Sequence, residues 1–144
     1  MQILAKTDYA IRALLALADR HPELVKIDAV ADDQKLPPEF ARTIAGELRR
    51  AGLVRIQRGA HGGWHLARAP HEISVGQVFR ATDGPFIELH GSLPSEVSYF
   101  GAATRLPQVW AALQQSVEKV LDQISLADLL AGPLPALPEA TDSR

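Results

Sequence analysis

Residues 36–68 read LPPEFARTIAGELRRAGLVRIQRGAHGGWHLAR. Leu36-Pro37-Pro38 forms a turn, and Pro38 suits the first turn of a helix, where no amide donor is missed. From there Phe40, Ile44, Leu48 and Ala51 fall on one side at about 100° per residue. Glu39, Arg42, Thr43, Gly46, Arg49 and Arg50 occupy the opposite arc, and Gly52 supplies a left-handed C-cap. Leu53 to Arg58 and Trp64 to Arg68 then alternate as two half-buried strands. Gly59, Gly62 and Gly63 lie between them, where a chain without β-carbons can come close to another surface.

Upstream, Thr7 is expected to cap a helix running to about Arg20, with Ala10, Leu14, Leu17 and Ala18 on one face and Ile11 and Leu15 widening it. His21-Pro22 stops it. A short helix follows from about Asp28, read as its cap, to Lys35, with Ile27, Val30 and Ala31 inward. Downstream, Ser74-x-x-Gln77 is a capping box for a helix to about Thr82, ended by Asp83-Gly84-Pro85. Residues 86–104 lack a clear period and read as a loop. Leu106, Trp110, Leu113, Val117, Val120 and Ile124 are then spaced by 4, 3, 4, 3 and 4 residues. That spacing is a helical seam that must be buried, against a second copy or back on its own domain. Ser125-x-x-Asp128 caps a last short helix, and the Pro- and Ala-rich residues 132–144 are expected to be disordered.

The order predicts a mostly α chain with a small β-wing: a winged helix-turn-helix domain plus a long C-terminal dimerisation helix. The expected divisions are 1–84 for the winged helix, 85–104 for a sensor or effector loop, 105–131 for the dimerisation helix and short helix, and 132–144 for the tail. A polar helix face and a glycine-rich hairpin tip on one side match the two grooves of B-DNA.

The 144 residues suit one domain with an appendage, and 47% are hydrophobic. No apolar run approaches the roughly 20 residues of a membrane span. Asp8, Arg12, Asp19 and Arg20 interrupt the first apolar stretch, so no signal peptide is read and a cytoplasmic location is expected. There is no cysteine, which excludes disulfides, thiolate metal sites and cysteine nucleophiles. The net charge is −2, yet residues 42–68 carry Arg42, Arg49, Arg50, Arg55, Arg58 and Arg68 against the single acid Glu47, a local balance of +5. Phosphates are neutralised by the contacting face, not by the average; a merely solvated face is the alternative. His61 and His65 span a hairpin rather than a helix turn, and His71 and His90 add no ligand spacing, so neither metal nor cofactor is expected. No phosphate loop, nucleophile–base arrangement or paired acids point to an enzyme, and Asp32-Asp33 read as solvated charge.

The opening KTDYAIRALLALA, the LRRAGLV turn, the wing RGAHGGWHLAR, then ISVGQVFRATDG, and Trp110 followed by ISLADLL carry a likeness over about residues 1–131. In these the chain resembles the bacterial IscR/NsrR/CymR-type winged helix-turn-helix transcriptional regulators of the Rrf family. The resemblance implies a homodimer, mostly a repressor in this family, on a pseudo-palindromic site in double-stranded DNA. It implies a recognition helix from Pro38 to Ala51 in the major groove and the wing tip in the adjacent minor groove. Glu39, Arg42 and Thr43 are then the base-edge candidates, although Glu39 also suits the helix dipole or a pair with Arg42. Arg49 and Arg50 are placed for phosphates, and Arg58 and His61, with Gly62 and Gly63, for the minor groove. Trp64 and Trp110 read as packing residues.

Several relatives carry an iron–sulfur cluster on three cysteines and, in one branch, a histidine. Those positions fall here on Ser92, Ser98, Thr104 and Pro107, none a credible ligand. In the cluster's place the reading leaves open an organic effector lined by Phe86, Glu88, His90, Tyr99 and Phe100, a regulatory protein partner, or no effector. The functional expectation is a dimeric, sequence-specific DNA-binding regulator, and the alternative is a winged-helix protein-interaction module without DNA binding.

Overall fold

Pro37 and Pro38 lead into a helix from Pro38 to Arg50 (α3) whose N-cap, Pro37, has extended backbone angles. Ala41, Ile44, Ala45 and Leu48 are its buried residues. The inward row is therefore shifted from the expected one: Phe40 is only half-buried, meeting Tyr9 edge-on at 5.4 Å, and Ala51 is exposed. Two small alanines let the helix approach its neighbours closely, a signal that a search for large apolar residues passes over. The computed structural model describes residues 2–131 together with 133, 134 and 137. Most of the expected disordered tail thus lies outside the described residues.

Ahead of α3 lie α1 (Ala5–Asp19) and α2 (Ile27–Gln34). Neither starts at its expected cap. Leu4 and Lys26 hold the N-cap positions without a side-chain bond. Thr7 sits inside the first turn of α1, fully buried, with its hydroxyl 2.8 Å from that of Thr82. Asp28 lies in the first turn of α2, exposed. A hydroxyl that meets a buried partner need not serve its own helix end.

After α3, Gly52 takes φ +76° as expected. Strands β1 (Val54–Gln57) and β2 (Gly63–Leu66) pair antiparallel, Val54 opposite Leu66 and Gln57 opposite Gly63. Val25, unassigned from the sequence, adds a third edge: its amide donates to the Trp64 carbonyl at 2.9 Å and its carbonyl accepts from the Trp64 amide at 2.8 Å. Trp64 is fully buried there. Helix α4 (Val75–Thr82) opens on the expected capping box of Ser74 and Gln77.

One core joins Leu14, Leu17, Val30, Ile44, Leu48, Trp64, Ile73, Val78 and Leu126. Each such side chain contributes about 1.5–3 kcal/mol on leaving water. A smaller cluster of Phe79, Phe86 and Ile87 receives Val117 and Leu121 from α5 (Leu106–Asp122). Ile124 lies beyond the end of α5 and is buried; its carbonyl accepts from the Val75 amide at 2.8 Å. Then α6 (Leu126–Leu130) returns to pack on α1. Leu126 thus joins the core of the winged helix from beyond the division expected at residue 105. No helix among the described residues is long and apolar enough to cross a membrane.

Candidate nucleic-acid interface

Glu39, Arg42, Thr43, Arg49 and Arg50 are all exposed on α3. The Thr43 hydroxyl donates back to the Glu39 carbonyl at 3.2 Å, leaving its methyl group and an acceptor lone pair free. Arg42 pairs not with Glu39 but with Asp28 of α2, Nη2 to Oδ1 at 3.0 Å. Glu47, the one acid in the arginine-rich stretch, turns away and meets Lys6 at 3.3 Å. Among the described residues Arg49, Arg50, Arg55, Arg58 and Arg68 form no ion pair. Five guanidinium groups in one stretch of chain repel one another and keep their full field for an outside anion.

Arg55 and Arg68, counted in the charge balance but not singled out as contacts, join Arg49 around an open cleft of about 610 Å³ between the end of α3 and the strands of the wing. The strand alternation that buries Val54 turns Arg55 outward. Their convergence needs the hairpin's register, which periodicity alone does not supply.

At the wing tip Arg58 and His61 are exposed. Gly62 and Gly63 are not; both are buried against their own chain. A β-carbon on Gly63 would strike the Val25 carbonyl oxygen, and one on Gly62 would strike the Gln57 carbonyl oxygen. Gly63 lets the hairpin close on Val25, and Gly62 lets the tip fold on its own backbone. The Lys26 ammonium holds the tip, donating to the Ala60 carbonyl at 2.7 Å and the Gly59 carbonyl at 3.3 Å.

The five expected effector-lining residues have different surroundings. Phe86 is buried against Phe79 at 4.9 Å with the Arg80 guanidinium 4.7 Å over its ring. Glu88, His90 and Phe100 are exposed, while Tyr99 accepts a 3.0 Å hydrogen bond from the Trp110 indole. A cleft of about 500 Å³ does lie between loop and α5, but Leu93, Pro94, Pro107, Ala111, Gln114 and Glu118 are among its lining.

On α5 the apolar arc is divided. Trp110 and Val117 turn toward the chain's own loop and second cluster. Val109, absent from the expected seam, is 55% exposed and Leu113 44%; Leu106 and Val120 are half-buried beside them. No residue of α5 is buried.

The family model described as Rrf2, Iron-dependent Transcriptional regulator, matches residues 3–132. The chain belongs to the Rrf2 family. An HTH-type transcriptional regulator of Mycobacterium tuberculosis H37Rv is 40% identical over 136 residues, covering 94% of this chain and 84% of that protein. The solved structure of CymR, the global cysteine regulator of B. subtilis, superposes with a TM-score of 0.74 at 28% identity, covering 90% of this chain and 95% of that one. T. potens IscR gives 0.71 at 32% identity, covering 90% and 86%. This Rrf2 protein is a winged-helix DNA-binding transcriptional regulator, from a family of regulators rather than enzymes.

The iron in the family's description tests the cluster positions. Ser92 is tied by its backbone to Leu89, Ser98 is exposed, the Thr104 hydroxyl donates to the Gly101 carbonyl at 3.1 Å, and Pro107 has no donor atom in its side chain. No group of three or more His, Cys, Asp or Glu among the described residues is placed to hold a metal. These residues do not fit an iron–sulfur cluster, which needs thiolate or imidazole ligands.

Proposed function

We propose that this Rrf2 protein is a homodimer that represses transcription by occupying a pseudo-palindromic promoter site, and that it does so without an iron–sulfur cluster. The observation that carries the reading is the set of five arginines, unpaired among the described residues, beside Arg42 on the recognition helix and wing. Glu39, Arg42 and Thr43 face the major-groove base edges, where arginine takes guanine bidentately and glutamate accepts from cytosine. Arg49, Arg50, Arg55 and Arg68 meet phosphates, which position the protein without reading sequence. Arg58 and His61 enter the minor groove.

Dimerisation is supported by the exposed row of Val109 and Leu113 on α5, apolar surface that a two-fold partner would remove from water. Two-fold pairing spaces the recognition helices by about 34 Å, one turn of duplex. The repressor assignment rests on the likeness to the family. Loss of the cluster is supported by the chemistry of Ser92, Ser98, Thr104 and Pro107. The cleft between loop and α5 is within the roughly 300–1,000 Å³ of ordinary ligand sites, and it is the seat we assign to an organic effector. A cytoplasmic location is in keeping with these roles.

The test is selection of bound fragments from genomic DNA by the purified protein, followed by titration of the recovered site against salt. Log affinity should fall steeply with log salt, and replacing Arg55 and Arg68 by alanine should reduce that slope by about one per arginine. A flat response, or no recovered site, overturns the reading.

A further inference from the structure

Lys26 and Asp28, where the chain enters α2, touch both halves of the DNA surface proposed above. Lys26 donates to the Ala60 and Gly59 carbonyls at the wing tip, at 2.7 and 3.3 Å. Two residues on, Asp28 accepts from Arg42 on the recognition helix at 3.0 Å. Directly before them, Val25 exchanges backbone hydrogen bonds with Trp64 of the wing. We infer that Lys26 and Asp28 are positioning residues. Lys26 fixes the wing tip relative to the recognition helix, and Asp28 presents the Arg42 guanidinium to a guanine.

The inference rests on the DNA-binding reading and adds to it the source of its specificity. The Asp28 and Arg42 side chains are 68% and 56% exposed, so the pair adds little to folding stability. It does restrict a long, mobile side chain. An arginine fork has five N–H donors, and Asp28 engages a single one of its nitrogens. The rest of the fork remains for the O6 and N7 acceptors of guanine, now with its plane set beforehand. A carboxylate beside the duplex also repels phosphates. Asp28 is tolerable at the interface only while Arg42 neutralises it, so it penalises sites that draw Arg42 elsewhere.

Lys26 acts on the other half. The Gly59 backbone, at φ +105°, belongs to the turn whose carbonyls the ammonium holds. That turn closes by donation from the Gly62 amide to the Gly59 carbonyl at 2.9 Å. Freed of Lys26, the tip loses its link to α2 and keeps only the hairpin.

The test uses the full chain. Wild type, Asp28→Ala, Arg42→Ala and the double variant are each used to select from randomised duplexes. Wild type should show a strong guanine preference at one position of each half-site. Asp28→Ala should lose about tenfold of that preference while binding an unrelated duplex at least as tightly as wild type. Arg42→Ala should lose the preference at the same position, and the double variant no more than Arg42→Ala alone. In the free protein, Lys26→Met should speed exchange of the Gly62 amide about tenfold and leave the Trp64 amide unchanged. An unaltered selected motif for Asp28→Ala, or unaltered Gly62 exchange for Lys26→Met, overturns the inference. If wild type itself selects no motif, the DNA-binding reading fails instead.

Discussion

The Trp110 indole on α5 donates a 3.0 Å hydrogen bond to the Tyr99 hydroxyl, tying the loop before the long helix to the helix itself. A tryptophan of the seam whose spacing suits either a second copy or the chain's own domain is thus engaged within its own chain. The loop is held by this bond, by Phe86 and Ile87 in the second cluster, and by Glu96, whose carboxylate accepts from the Leu93 amide at 2.8 Å. Tyr99→Phe should cost about 1 kcal/mol in denaturant unfolding, the usual worth of one hydrogen bond. It should also shift the Trp110 indole proton resonance while leaving that of the buried Trp64 in place. An unshifted Trp110 resonance would show that the bond does not form in solution.

With Trp110 and Val117 turned inward, the dimer face proposed for α5 falls to Val109, Leu113 and their half-buried neighbours. Leu113→Glu should therefore leave the unfolding free energy of the protomer within about 0.5 kcal/mol, as for an exposed substitution. Sedimentation should change from dimer to monomer. Affinity for a two-half-site duplex should fall about 100-fold, because the second half-site loses its intramolecular advantage. A dimer that survives the glutamate would place the interface elsewhere.

These two cases mark where sequence legibility ended. Features encoded locally were readable: the proline start and polar face of α3, the glycine after it, the alternation of Val54, Arg55 and Ile56, and the capping boxes of Ser74 and Ser125. Features set by a distant partner were not. Thr7 and Asp28 have good capping chemistry, yet one is claimed by Thr82 and the other by Arg42. The 4-3-4 spacing of α5 states that an apolar arc exists but not which flank the chain itself covers. The cleft of Arg49, Arg55 and Arg68 needed the pairing of β1 with β2, and the Lys26 tether needed the closure of the hairpin onto Val25.

That closure has its own consequence. Gly63 lies where Val25 crosses the wing, with the Val25 carbonyl against the space a side chain would take and the Lys26 amide nitrogen 3.2 Å from it. Gly63→Ala cannot be relieved by rotating a side chain, since the obstacle is backbone. It should destabilise the fold by about 2–4 kcal/mol. Gly46→Ala on α3, where nothing lies within 4 Å of a new β-carbon, should instead stabilise by roughly 0.5–1 kcal/mol. Thermal unfolding of the two variants compares them directly, and equal effects would refute the close approach at the wing.

The link between α4 and the end of α5 makes a prediction about pH. Arg80 donates to both oxygens of Asp122, at 2.8 and 2.7 Å. These hydrogen bonds hold the Asp122 carboxyl below its ordinary value of 3.8, against a smaller opposing effect of burial. They also hold the Arg80 guanidinium above its ordinary value. A depressed acid stabilises the fold wherever it is ionised in both states, and that contribution is lost as pH falls through the folded-state value. The Arg80 contribution is constant across the same range, because it changes only at strongly alkaline pH. Both side chains are about 40% exposed, so solvent limits the pair to roughly 0.2–1 kcal/mol. Asp122→Asn should therefore be less stable than wild type by that amount at about pH 7. The difference should shrink below about pH 4 and continue to shrink as pH falls toward the folded-state value. Gly76→Ala should show the same pH dependence, because its β-carbon would displace the Asp122 carboxylate from Arg80. Urea titrations of the three proteins across that range decide it: a difference that stays constant down to pH 2 would mean that the Asp122 charge contributes nothing to holding α5 against the winged helix.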